Sequence, residues 1–110
     1  MDGKTKQLLV EAMEESAEVI QACSKAIRFG LGNHHPNKHE NHADEILTEY
    51  YHLQTIIESL QREKVLPIYN EEHIKTIKKD KFYRMKKYLN QKNNRKRQYE
   101  RKVWGNIRER

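Results

Sequence analysis

The chain has a single cysteine, Cys23, among its 110 residues. One thiol supports neither a disulfide framework within the chain nor a cysteine-based zinc pattern. That fits a reducing, cytoplasmic setting. Long apolar runs are missing as well. No stretch approaches the roughly 20 residues that span a bilayer, and the opening MDGKTKQLLVEAMEES lacks the apolar core of a signal peptide. No membrane partner is therefore expected. Hydrophobic residues make up only 35% of the chain, and mean hydropathy is −1.12. A monomer this short and polar would have a thin core, because small domains bury a lower share of their surface. Self-association is the expected remedy. Strand-like alternation and internal repeats are also absent.

Charge is what the chain has in quantity. Charged residues make up 35%, and the formal net charge is +6. From Lys92 onward there are eight Lys/Arg and two Asp/Glu, a balance of +6, so residues 1–91 are formally neutral. A basic tail over 92–110 suggests contact with nucleic acid, or simply a solvated end.

Apolar spacing predicts three amphipathic helices ahead of that tail. The first runs from about Lys4 to Arg28, with Leu9, Met13, Ile20, Cys23 and Ile27 on one face and Val10, Ala12, Ala17 and Val19 widening it. Gly30 and Gly32 stop it. The segment GLGNHHPNKHEN reads as a loop. Asn37 or Asn41 caps a second helix, from about Asn41 to Glu63. Its stripe is Ile46, Leu53, Ile57 and Leu60, with Tyr50 at the border and expected to face the core. Pro67 breaks the pattern. Asn70 then caps a third helix over about 71–91, with Ile74, Ile77, Phe82, Met85, Tyr88 and Leu89 as its apolar side. The tail continues as helix in part, with Trp104 able to dock. The fold class is all-α, a helical bundle completed by a second copy.

Two helices carry acids at helical spacing. Glu11, Glu14, Glu15 and Glu18 lie on one side of the first helix, opposite Leu9 and Ile20. Glu45, Glu49 and His52 follow one margin of the second. Like charges three or four residues apart cost roughly 0.2–0.5 kcal/mol per pair in an isolated helix. Such stripes are either solvated faces or sites for a hard cation that relieves the repulsion. Acids facing inward on neighbouring helices are a known way to build metal sites in bundles.

EESAE, set in EAMEESAEVIQACSKAIRFG, together with NHADEILTEYYHLQTIIESL and the closing IKTIKKDKFYRMKKYL, resembles the MazG-like, all-α nucleoside triphosphate pyrophosphohydrolases. The resemblance covers about residues 6–90. It implies hydrolysis of the α–β phosphoanhydride bond to a nucleoside monophosphate and pyrophosphate, by a homodimer or homotetramer. Matched by position, Glu15 and Glu18 correspond to metal-binding acids of an EExxE motif, Glu14 to its remaining glutamate, and Glu49 to the glutamate of an ExxD motif. His52 stands where the family has aspartate. The implied catalytic residues are Glu14, Glu15, Glu18 and Glu49, with Glu15, Glu18, Glu49 and His52 at the metal. The implied cofactor is Mg2+, with Mn2+ as the alternative.

A triphosphate is a polyanion, so acids act on it only through a cation. Lys25, Arg28, Lys78, Lys81 and Arg84 are candidates for contact with the nucleoside triphosphate, against a plain reading as solvated bases. His52 leaves three outcomes open: a softer metal, a site of three glutamates helped by Glu45, or binding without catalysis. The last defines the alternative function, a catalytically impaired module that binds nucleotide, nucleic acid or a protein partner. A plain helical oligomerisation protein would explain the apolar stripes but not the acids. His34, His35, His39 and His42 match no strong zinc pattern and read as a polar loop near the nucleotide.

Overall fold

The computed structural model describes the backbone of residues 1–108 and the side chains of residues 1–102. Every regular element among them is a helix: α1 Gly3–Phe29, α2 His42–Arg62 and α3 Glu71–Arg108. The all-α expectation holds. The chain divides into two compact units, Met1–Ile68 and Tyr69–Arg110.

Local chemistry sets the ends of the helices. Asp2 caps α1 by accepting a hydrogen bond from Thr5 N–H at 2.6 Å. That backbone hydrogen bond holds the Asp2 carboxyl below its usual pKa. At the other end Gly30 takes φ 91°, a region that costs a side-chain-bearing residue energy. Its N–H returns to the Ala26 carbonyl at 2.9 Å. Asn41 is the cap of α2, its side-chain oxygen accepting from Asp44 N–H at 2.8 Å. Asn70 does the same for α3, accepting from His73 N–H at 2.8 Å.

Within the first unit, α1 and α2 form an antiparallel hairpin. Lys4 meets Glu63 at 2.7 Å, Glu15 meets His52 at 3.7 Å and Lys25 meets Glu45 at 4.0 Å, so the numbering of the two helices runs in opposite directions. The connecting loop folds back on the hairpin: His42 N–H donates to Asn33 O at 2.9 Å and Ala43 N–H to Leu31 O at 3.0 Å.

The face of α1 turned to α2 is not the most apolar one. Met13, Ile20 and Ile27 are 71%, 69% and 86% exposed, and Cys23 is exposed too. The covered positions include Thr5, Leu8, Ala12, Glu15, Val19, Ala22 and Ala26, at alternating spacings of three and four, with Leu9, Glu11, Ser16, Ser24 and Lys25 partly covered beside them. Small residues at 12, 22 and 26 let the helices approach closely, and a two-helix hairpin covers only one seam of each helix. The larger apolar stripe is therefore left outside. On α2, Leu60 is buried and Ile46, Leu53 and Ile57 are half-buried, whereas Tyr50 is exposed instead of facing the core. Ala22 and Leu60 are the only buried apolar residues among those described.

The second unit holds α3, a single helix of 38 residues. It continues past Gln91, so the basic tail is helical through position 108. Ile74, Ile77, Phe82, Met85, Tyr88 and Leu89 are all exposed. Trp104 lies outside the residues whose side chains are described. The unit boundary redraws the charge map. Residues 1–68 carry seven Lys/Arg and eleven Asp/Glu, a balance of −4, while residues 69–110 carry fifteen and five, a balance of +10. The basic excess thus extends over the whole second unit. No helix among the described residues is long and apolar enough to cross a membrane.

Candidate metal centre

The antiparallel register brings EESAE and TEYYHL together. Glu15 projects from α1 into the seam, and Glu49 and His52 lie one turn apart on α2. His52 Nδ1 is 3.2 Å from Glu49 Oε2 and 3.7 Å from Glu15 Oε2. One ligand atom from each residue lies within 4.8 Å of the other two. Among the described residues this is the one grouping of three such side chains that could hold a metal ion. Glu15 Oε2 is also the one buried side-chain oxygen or nitrogen there with no hydrogen-bond partner. A buried carboxylate oxygen without a partner is costly, and a cation removes that cost.

The remaining site candidates fall in different places. Glu18 is exposed and does not join the group. It lines a small polar cavity of about 90 Å³ that also holds Lys25, Glu45 and Glu49. Glu14 is exposed on α1. Arg28 lies 5.2 Å from the centre of the Phe29 ring, a cation–π contact. Lys78, Lys81 and Arg84 belong to the exposed surface of α3 in the second unit, where Arg84 pairs with Asp80 at 3.0 Å.

A second polar cluster lies nearer the loop. The side chains of His42 and Glu45 are only 5% and 10% exposed, and His42 Nδ1 is 3.4 Å from Glu45 Oε2. Lys38 approaches Glu45 at 3.5 Å and Lys25 at 4.0 Å. Burial pushes the Glu45 carboxyl up, but the hydrogen bond from His42 and the charges of Lys25 and Lys38 outweigh it, so the pKa ends below the usual glutamate value. Beside this cluster opens a cleft of about 350 Å³ with mainly apolar walls. Sequence reasoning gave Glu45 only a helper's place and missed Lys38 and Phe29 altogether. The one signal for the pair was the spacing of His42 and Glu45, three apart at a helix start.

Two carboxylates and one imidazole are a sound donor set for a divalent cation. Carboxylates suit Mg2+ and Mn2+, while an imidazole ligand moves the preference away from Mg2+ toward transition metals. With the unpartnered Glu15 oxygen, the residues present fit such an ion. No family model matches the chain, and neither the curated proteins nor the solved structures searched contain a match.

Proposed function

We propose that the chain is a metal-dependent nucleoside triphosphate pyrophosphohydrolase of the MazG-like kind, cleaving between the α and β phosphates. The observation that carries the reading is the meeting of Glu15 with Glu49 and His52 across the hairpin, within 4.8 Å. Glu15, Glu49 and His52 would hold the cation, and the imidazole favours Mn2+ over Mg2+. When bound, the ion supplies Lewis acidity and neutralises phosphate charge. Glu18, beside Glu49 in the polar cavity, is the group in reach to accept a proton from the attacking water. Glu14, one residue before Glu15, adds negative charge along the same helix. Lys25, in that cavity, faces the phosphates, with Arg28 one turn further along α1.

The same reading includes self-association as a homodimer or homotetramer. Met13, Ile20 and Ile27, spaced by seven and exposed, form a stripe suited to a second copy.

The test is pyrophosphate release from a panel of ribo- and deoxyribonucleoside triphosphates, with Mg2+ and with Mn2+. Release is expected, faster with Mn2+. Glu18→Gln is expected to lower kcat at least about 100-fold, and His52→Asp to shift the preference toward Mg2+. A panel inert with both metals sinks the reading.

One observation favours a second reading, a binding module without catalysis. The +10 balance of residues 69–110 suits a nucleic-acid backbone. Salt-sensitive binding of nucleic acid with no pyrophosphate release would support it.

A further inference from the structure

The cleft beside Glu45 has no part in holding a cation, yet it is built from chemistry-bearing residues. Its volume, about 350 Å³, lies in the range of small-molecule sites. One wall is aromatic: the rings of Phe29 and His42 are stacked with centroids 5.8 Å apart and planes 29° from parallel. Phe29 is half-exposed and lines the cleft, with the Arg28 guanidinium also 5.2 Å from its ring centre. Opposite chemistry sits beside it, because the cleft is also lined by the buried Glu45 carboxylate and by Lys25 and Lys38. These contacts to Glu45, at 3.4–4.0 Å, are long. Its oxygens therefore keep the capacity to accept further hydrogen bonds.

The cleft and the small polar cavity share Lys25, Lys38 and Glu45. The cavity in turn reaches Glu18 and Glu49. Glu49 is four positions after Glu45 on α2, about 6 Å along the helix. An apolar, aromatic slot is thus joined through two lysines to acids that suit a metal. A molecule matching that sequence of surfaces has a planar heterocycle at one end and phosphate at the other.

Resting on the pyrophosphohydrolase reading, we propose that this cleft takes the base of the nucleotide, stacked on the Phe29–His42 wall with its amino edge toward Glu45. Phe29, His42 and Glu45 are then specificity residues, and Lys25 and Lys38 bridge base and phosphates. Cytosine, adenine and guanine carry amino donors for a carboxylate, and uracil does not.

The test uses the full chain in EDTA, with neither metal nor triphosphate present. Binding is followed by the imidazole C–H resonances of the six histidines. The probes are cytidine, adenosine, guanosine and uridine 5′-monophosphates, with ribose 5-phosphate as control. The expected result is saturable shifts of His34, His35 and His42, with His52 and His73 unmoved, and uridine 5′-monophosphate as the weakest ligand. Phe29→Leu keeps the apolar volume but removes the π face and should weaken binding about tenfold. The proposal is overturned if ribose 5-phosphate reproduces the shifts, if the shifts centre on His52, or if Phe29→Leu, shown by circular dichroism to be folded, binds as wild type. These results do not depend on catalysis. Base binding without pyrophosphate release defeats only the reading of function, and release without base-dependent shifts defeats only the cleft.

Discussion

Glu15→Gln separates what the acidic group costs the fold from what it offers a cation. Two unit charges 4.8 Å apart, the limit of the group, repel by about 1 kcal/mol in water and by about 3.5 kcal/mol at an effective dielectric of 20. The Glu15 and Glu49 side chains are only 29% and 24% exposed, so the lower figure is the least the repulsion costs. Glutamine keeps the volume, removes one charge and turns an unpartnered oxygen position into one that can donate to Glu49. Without metal the variant is therefore expected to be more stable than wild type by at least about 1 kcal/mol. That raises Tm by at least roughly 4–8 °C, the shift for an ordinary domain of this size, and by more where the transition is broad. Metal reverses the order. At a hundred times its Kd a cation stabilises the wild type by about 2.7 kcal/mol, and the variant, lacking a ligand, gains far less. Thermal melts by far-ultraviolet circular dichroism, in EDTA and across a Mn2+ titration at about pH 8, above the ordinary imidazole range, should show the two midpoints crossing. A variant that melts below wild type in EDTA, or an equal rise of both with Mn2+, would refute the reasoning.

Three further outcomes are expected. Glu45 has a lowered pKa in the fold, so it contributes stability above its unfolded value of about 4.3 that is lost as pH falls through the folded value; Glu45→Gln should therefore be less stable than wild type at neutral pH, with the gap closing in urea melts at about pH 3. Ile20→Asp places a charge in the exposed α1 stripe and should lower the assembly state in sedimentation, with no change expected if that stripe faces only water. Changing Arg95, Lys96 and Arg97 together to Ala should reduce the slope of log affinity for nucleic acid against log salt by about 2–3, and an unchanged slope would remove this segment from any binding surface.

Much of this structure was legible in the sequence, for physical reasons that differ by element. Helix ends were readable at Gly30, Asn41 and Asn70, because capping is local chemistry. The pairing of EESAE with TEYYHL was implied only by the family resemblance, and the hairpin brings Glu15, Glu49 and His52 of those stretches together. Which face of α1 turns to α2 was not readable. Hydrophobic spacing centres the stripe on Met13, Ile20 and Ile27, with Ala12 and Val19 only at its margin, whereas the covered seam takes Ala12, Val19, Ala22 and Ala26, and with them Glu15. The Lys38–Glu45–His42 cluster escaped because Lys38 comes from a loop whose path no periodicity describes. The continuation of helix into the tail was legible, but its extent to position 108 was not, since a polar helix leaves little apolar pattern to follow.

The hairpin's two-residue core, Ala22 and Leu60, has a calorimetric consequence. Heat capacity on unfolding scales with apolar surface newly hydrated, and typical domains show about 12–15 cal/mol/K per residue. A hairpin in which Met13, Ile20, Ile27 and Leu47 already meet water and most of the rest are only partly covered has less left to hydrate, so as a lone chain it should melt over a broad range with a reduced heat-capacity step. The urea m-value should shrink in proportion. A sharp transition with a full-sized step, steepening as protein concentration rises, would be the thermodynamic signature of surface that only another molecule can dry.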